Sequence, residues 1–188
     1  MNPDEYARLI RKSLAQDRLF HDGSLCSMLG DEIALMITSY LDDADVFSMR
    51  NDPVNRYASL TYAHGWLDAG IFLGYLADTH LQAEFCDEGM IPWSAHGALS
   101  EKMNRYEQML GLAAISVIPS ASSGSPAFPV ARRMQDQVQS GREKGLVFRS
   151  GDRPVSALGL FSYWYGWLDT GVRCGILLIM ERGDLFTT

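Results

Sequence analysis

The chain carries a second copy of one of its own segments. Residues 53–74 and 154–175 align without a gap at a constant offset of 101, and nine of these 22 positions hold the same residue. A repeat of roughly a hundred residues is much longer than the unit of a solenoid protein, so it predicts a duplicated small domain. In the first copy the shared residues are Pro53, Val54, Tyr62, Gly65, Trp66, Leu67, Asp68, Gly70 and Gly74.

The composition is typical of a globular protein and argues against some classes of partner. Of the 188 residues, 47% are hydrophobic and 21% charged, and the net charge is −7. An acidic surface repels phosphate backbones, so we expect no binding to nucleic acid. Three widely separated cysteines, Cys26, Cys86 and Cys174, and an N-terminus without an apolar leader predict reduced thiols and a cytoplasmic location.

Helical periodicity and capping residues predict an all-α fold. We expect two tandem three-helix up-and-down bundles, packed about a pseudo-twofold axis, with the two motif helices as the most buried elements. The predicted units are residues 1–85, a connector at 86–99 and residues 100–188, which include a Ser/Pro-rich loop at 119–129. Six helices are predicted, beginning near residues 3, 28, 53, 100, 130 and 154. The first should end near residue 20, the third near 84 and the fifth near 145, and no strand is predicted.

The duplicated helix combines polar residues with an otherwise apolar sequence. At helical spacing the first copy places Thr61, His64 and Asp68 on one face, and the second copy has Ser162, Tyr165 and Asp169 there. A buried carboxylate must be paired or protonated, so we expect both aspartates to be buried and hydrogen-bonded inside the bundle. The candidate binding or structural residues are Thr61, Tyr62, His64, Trp66, Asp68, Ser162, Tyr163, Tyr165, Trp167, Asp169 and Arg173.

Two further interpretations of these residues remain open. Asp68 lies four residues after His64 and could orient it as a carboxylate orients a catalytic base, although no convincing nucleophile accompanies the pair. Arg173 lies four residues after Asp169 and is placed to form an ion pair with it. Asp169 and Arg173 would also be costly inside a bilayer, so we expect no membrane span.

The sequence predicts neither a metal nor a cofactor. Its four histidines, His21, His64, His80 and His96, do not have the spacing of metal ligands. The glycine-rich phosphate-binding loops and the serine nucleophile motif are also missing from the sequence. We therefore predict no catalytic residue.

The motif helix resembles the signature of a known family. Residues 162–175, SYWYGWLDTGVRCG, and the matching segment from Tyr62 to Gly74 are similar to the hallmark of the uncharacterised archaeal family called domain of unknown function 357. In the first copy Phe72 stands where the family motif has arginine. The resemblance implies an all-α bundle and an archaeal source, and it implies no activity.

Two functional hypotheses follow. The first is a non-enzymatic binding or scaffold protein whose partner is another protein or a small molecule, either a monomer with an internal pseudo-dimer or a homodimer. Its candidate contact residues are Met90, Ile91, Trp93 and Phe128. The second is a small-molecule-binding or hydrolytic helical enzyme with a pocket between the repeats, lined by Tyr62, His64, Asp68, Tyr163, Tyr165 and Asp169.

Overall fold

A computed structural model describes residues 2–15, 22–78, 81 and 88–187. Within these ranges the chain forms six α-helices and one two-stranded sheet, so the all-α prediction is confirmed. The helices are α1 (Pro3–Leu14), α2 (Leu25–Met49), α3 (Pro53–Phe72), α4 (His96–Ile115), α5 (Ala127–Ser150) and α6 (Pro154–Arg173), and the strands are β1 (Val117–Pro119) and β2 (Leu177–Ile179).

The two motif helices, α3 and α6, form the centre of the molecule. They pack against each other; α1 and α2 cover α3, while α4 and α5 cover α6. Most of the residues of both central helices are buried, as predicted, and their fully buried side chains include Trp66 and Phe161. None of the helices in the described part of the chain is long and apolar enough to cross a membrane.

Equivalent backbone turns precede and follow the two central helices. Asn51 and Asp152, which are related by the offset of 101, have φ angles of 53° and 56° and open the turns before α3 and α6. At the other end Gly74 and Gly175 adopt φ angles of 78° and 70°. Glycine adopts this left-handed conformation without a steric penalty, and it is the usual residue just after a helix end.

Several predicted boundaries differ from the structure. The third helix ends at Phe72, not near residue 84, because the left-handed Gly74 terminates it. The first helix ends at Leu14, and residues 16–20 of its predicted range lie outside the described part of the chain. The helix predicted to begin at 130 already begins at Ala127, which is compatible with Pro129 because the first turn needs no backbone N–H donor there.

A short sheet, which the sequence did not predict, joins the ends of α4 and α6. β1 and β2 run antiparallel, and Ile118 lies opposite Leu178. Each strand has only three residues, which is too short for an alternating pattern to be recognised. The buried residues Val117 and Leu177 attach this ribbon to the core.

The start of α6 is capped by a residue from the connector. The N-terminus of α3 is capped locally, since the side chain of Asp52 accepts a hydrogen bond from the Asn55 amide at 3.0 Å. At the N-terminus of α6 the Glu88 carboxylate instead accepts bonds from the amides of Val155, at 3.1 Å, and Ser156, at 3.0 Å. A carboxylate there also interacts favourably with the helix dipole.

We expect Glu88→Ala to lower the free energy of unfolding by about 1–2 kcal/mol, because two amides at the N-terminus of α6 lose their acceptor. Glu88→Gln keeps one acceptor oxygen but no charge, and should lie between this variant and the wild type. Urea denaturation measures the difference, with the exposed Glu101→Ala as a control expected to stay within about 0.5 kcal/mol. Equal stability of Glu88→Ala and the control would show that the cap contributes nothing.

Candidate functional site

The two central helices cross at a pair of glycines. A Cβ atom built on Gly65 would lie 2.1 Å from the carbonyl oxygen of Tyr163, and one built on Gly166 would lie 2.6 Å from the carbonyl oxygen of Tyr62. No real Cβ atom tolerates such distances, so only glycine fits at either position. Gly65 and Gly166, which are related by the offset of 101, therefore lie at the same point, where the backbones of α3 and α6 come into close contact.

Each motif tyrosine donates a hydrogen bond to the motif aspartate of the other helix. The Tyr62 hydroxyl on α3 donates to Oδ2 of Asp169 on α6. The Tyr163 hydroxyl on α6 donates to Oδ2 of Asp68 on α3, at 2.6 Å. This reciprocal exchange is the pattern that a twofold relation between two segments produces. Both aspartates are thus hydrogen-bonded as predicted, and the donor is a tyrosine in each case.

The carboxylate of Asp169 is buried and accepts hydrogen bonds both from α3 and from the C-terminal segment, residues 180–187. The residue is 1% exposed. Besides Tyr62, the Thr187 hydroxyl donates to it at 3.0 Å. Burial raises the pKa of Asp169 to about 6, although the hydrogen bonds from Tyr62 and Thr187 act in the opposite direction. The same burial and the nearby Asp169 raise the pKa of Tyr62 well above its ordinary value, so this tyrosine remains a donor.

Asp68 belongs to a longer row of polar side chains. The Tyr6 hydroxyl and His64 Nδ1 are hydrogen-bonded at 2.7 Å, and His64 Nε2 lies 3.4 Å from Asp68 Oδ2. His64 is completely buried, whereas the side chain of Asp68 is 21% exposed and is the point where the row reaches solvent. Burial raises the pKa of both Tyr6 and Tyr163. For Tyr163 the negative charge of Asp68 is the second cause and raises the pKa further. The row Tyr6–His64–Asp68–Tyr163 thus connects α1, α3 and α6.

The second copy uses the equivalent positions differently. Tyr165, which replaces His64, donates its hydroxyl hydrogen to the carbonyl oxygen of Leu185 in the C-terminal segment. The Ser162 hydroxyl donates across the helix interface to the carbonyl oxygen of Ala58 at 2.7 Å. The Thr61 hydroxyl donates to carbonyls of its own helix, those of Tyr57 and Ala58. Among the described residues, the second half therefore holds no equivalent of the row Tyr6–His64–Asp68–Tyr163.

Arg173 does not form the predicted ion pair with Asp169. Its guanidinium Nε instead donates to Glu32 Oε1 on α2, at 2.9 Å. Asp169 faces α3 and is buried, whereas Arg173 is the last residue of α6 and lies at the surface. The two side chains therefore point to different surroundings, although they are four residues apart on one helix. Trp66 is completely buried, and the Trp167 ring packs against Phe72, the two ring centres being 5.2 Å apart.

Two partners of the motif residues, Tyr6 and Thr187, were not predicted from the sequence. Tyr6 precedes His64 by 58 residues, and Thr187 follows Asp169 by 18. Neither residue belongs to a recognisable motif, and only the packing of α1 and of the C-terminal segment brings them to the central helices. A spacing pattern in the sequence holds no signal that could have found them.

Three clefts in the described part of the surface lie away from the residues predicted to line a pocket between the copies. Two of these, of about 310 and 390 Å³, lie beside the turns that precede α3 and α6, and another, of about 470 Å³, lies between α4 and α5. Their walls contain none of the six residues expected to line the pocket. Within the ranges that the structure describes, no three His, Cys, Asp or Glu side chains lie close enough to hold a metal ion.

The fold and the exchanged Tyr–Asp hydrogen bonds define a class of protein: an all-α bundle built from two related motif helices that cross at glycine. A family model described as "Protein of unknown function (DUF357)" matches residues 5–76 and again residues 105–177. These two segments cover most of the chain, which therefore belongs to the DUF357 family. Neither a curated protein nor a solved structure matches the chain.

Proposed function

We propose that this protein is a non-enzymatic helical binding or scaffold protein. The observation that carries the proposal is the use made of the motif's polar groups. Two hydrogen-bonded pairs cross the interface between the central helices: Tyr62 with Asp169, and Tyr163 with Asp68. Groups engaged in this way hold two helices in register and leave little capacity for a substrate.

The surface supports the same proposal, because it exposes large apolar side chains. Trp93 is 83% exposed and Ile115 81% exposed. The other residues expected to form contacts are less exposed. Met90 and Ile91 in the connector are buried, and Phe128, expected in the Ser/Pro-rich loop, lies in α5 and is half-buried. Trp93 and Ile115 both lie in the walls of clefts, and exposed aromatic and aliphatic side chains of this kind are typical of surfaces that bind other proteins.

Other properties of the protein remain proposals. We infer a cytoplasmic location, which the free thiols of Cys26 and Cys174 support, since reduced cysteines are usual in that compartment. We also propose that the acidic chain does not bind nucleic acid. The archaeal source, the division at residues 85 and 100, and the choice between a monomer and a homodimer remain predictions.

One observation favours the alternative of a small-molecule-binding or hydrolytic enzyme. The row Tyr6–His64–Asp68–Tyr163 reaches solvent at Asp68, and a carboxylate beside a histidine is an arrangement that can move a proton. A variant in which His64→Gln abolished the function of the protein in the cell without lowering its stability would favour this alternative.

Site-specific photo-crosslinking in the cells of origin tests the main proposal. A photoreactive amino acid replaces Trp93 or Ile115, and the charged, exposed Arg133 on α5 is the control position. We expect a discrete protein adduct from at least one of the two apolar positions and none from position 133. The absence of a discrete adduct at both apolar positions, or equal adducts at all three, would contradict the proposal.

A further inference from the structure

The C-terminal half of α4 exposes apolar side chains beside a cleft. Leu112 and Ile115 are three residues apart on one face of the helix, and they are 40% and 81% exposed. Both line the cleft of about 470 Å³, whose opposite wall on α5 includes Gln139 and Arg142. An apolar pair at helical spacing next to a groove is a feature that a second helix can pack against.

The ribbon extends this apolar surface beyond the end of α4. Ile118 and Leu178 lie opposite each other in the ladder and are 43% and 52% exposed. The amide of Met180 donates to the carbonyl of Ser116, so Met180, which is 58% exposed, shares the outward face with Leu178. We call Leu112, Ile115, Ile118, Leu178, Met180 and Arg142 the α4–ribbon surface.

Arg142 gives this surface a positive charge, and no carboxylate of the described residues neutralises it. Its guanidinium lies against α4 at Gly111, where an added Cβ atom would come within 3.2 Å of Nη2. Its Nε atom is buried and has no hydrogen-bond partner, and within the described ranges no carboxylate lies at ion-pair distance from it. The nearby Glu107 is already bonded to Arg149. Arg142 also lines the cleft, where a carboxylate from outside the chain would bind the terminal Nη atoms of the guanidinium.

We propose that the α4–ribbon surface binds an acidic amphipathic helix of a partner protein. Such a helix places two apolar side chains one turn apart against Leu112 and Ile115, and an Asp or Glu on its flank reaches Arg142. Arginine binds a carboxylate with two parallel hydrogen bonds, so the charge sets the orientation of the helix as well as the choice of partner. This inference rests on the proposed binding function and names its surface and the chemistry of its partner.

Selection from a displayed peptide library tests the proposal on the full chain. The library holds amphipathic helices of about 18 residues, or five turns, with the polar flank randomised. It is selected for binding to the wild type and against binding to Ile115→Asp. We expect the selected peptides to be enriched in Asp or Glu at one flanking position, and their affinity to fall as salt is raised.

Single substitutions test the charged part of the surface, Arg142, and its apolar part, Ile115, separately. Arg142→Gln and Ile115→Ser should each weaken the selected peptides about tenfold or more, whereas the controls Arg132→Gln and Val147→Ser, at exposed positions of α5, should leave the affinity within about twofold. Thermal unfolding of every variant establishes that it is folded. A selection without acidic enrichment, or an affinity indifferent to Arg142→Gln, would overturn the inference.

Two further outcomes separate this inference from the proposed function. Sedimentation that shows a wild-type dimer, dissociated by Ile115→Asp, would identify the occupant as a second copy of the chain and overturn the acidic-helix proposal. A discrete cellular adduct at Trp93 together with a failed peptide selection would leave the binding function standing and reject this surface. The absence of adducts at both positions would reject the function itself.

Discussion

Replacing Gly65 by alanine is expected to destabilise the protein by at least about 4 kcal/mol, or to prevent folding altogether. The added Cβ atom would lie 2.1 Å from the Tyr163 carbonyl oxygen and 2.9 Å from its carbonyl carbon. These are backbone atoms of the neighbouring helix, which cannot rotate away as a side chain can. The two central helices would have to separate along their whole interface, and the Tyr–Asp hydrogen bonds on both sides of the crossing would be lost.

A comparison of three glycines makes this expectation specific. Gly166→Ala should have a similar effect, because its Cβ atom would lie 2.6 Å from the Tyr62 carbonyl oxygen. Gly97 lies in the first turn of α4, and beyond its own turn of the helix an added Cβ atom would meet no atom of the described residues within 4 Å. Gly97→Ala should therefore raise stability by about 1 kcal/mol or less. Denaturant unfolding followed by circular dichroism measures all three. A Gly65→Ala protein as stable as Gly97→Ala would show that the helices do not cross at this point.

The second large effect is a dependence of stability on pH that originates at Asp169. Its pKa is raised by burial to about 6 in the folded protein, compared with an ordinary value of 3.8. At a pH between these two values, Asp169 therefore keeps its proton in the folded state but has lost it in the unfolded state. The stabilisation is fully present below about pH 3.8 and is lost as the pH rises through 6. At about 1.4 kcal/mol per pKa unit the difference is of the order of 3 kcal/mol.

Asp169→Asn isolates this contribution from all other titrations. The amide keeps an oxygen that can accept from Tyr62 and Thr187 but has no ionisation, so the variant should lack the fall in stability between pH 4 and pH 6.5 that we expect of the wild type. The free energy of unfolding in urea, measured across this range, gives the difference between the two curves. Asp136→Asn, at an exposed position of α5, is the control and should follow the wild type. Parallel curves for the wild type and Asp169→Asn would contradict the burial of an ionisable Asp169.

Much of the local structure could be predicted because its causes lie within a few residues of one another. Asn2 and Asp52 cap their helices, and Pro53 and Pro154 begin theirs, since caps and first-turn prolines act on the nearest backbone groups. The end of α3 was missed because a helical pattern continues in the sequence beyond Gly74. The strands were missed because each holds only three residues and forms by pairing with a segment 60 residues away.

The candidate site was predicted in its composition but not in its connections. Asp68 and Asp169 were expected to be hydrogen-bonded inside the bundle, and they are, although Asp68 is only partly buried. The spacing of four residues suggested that Arg173 pairs with Asp169, whereas it binds Glu32 on α2. Helical spacing shows which side chains share a face of one helix, but it holds no information about which neighbouring helix that face contacts.

Sequence reasoning alone established that the chain is all-α, that two related glycine-bearing helices recur at an offset of 101, and that each of them carries a tyrosine and an aspartate. These properties follow from hydrophobic periodicity, capping and direct similarity, which are all local. The packing of the helices was needed to show that each tyrosine donates to the aspartate of the opposite helix, and that Tyr6 and Thr187 complete the surroundings of these pairs. It was also needed to show that Arg142, which lies beside the exposed Leu112 and Ile115, has no carboxylate partner among the described residues. Such contacts depend on how whole helices pack, because the energies that select them are shared among residues far apart in the chain.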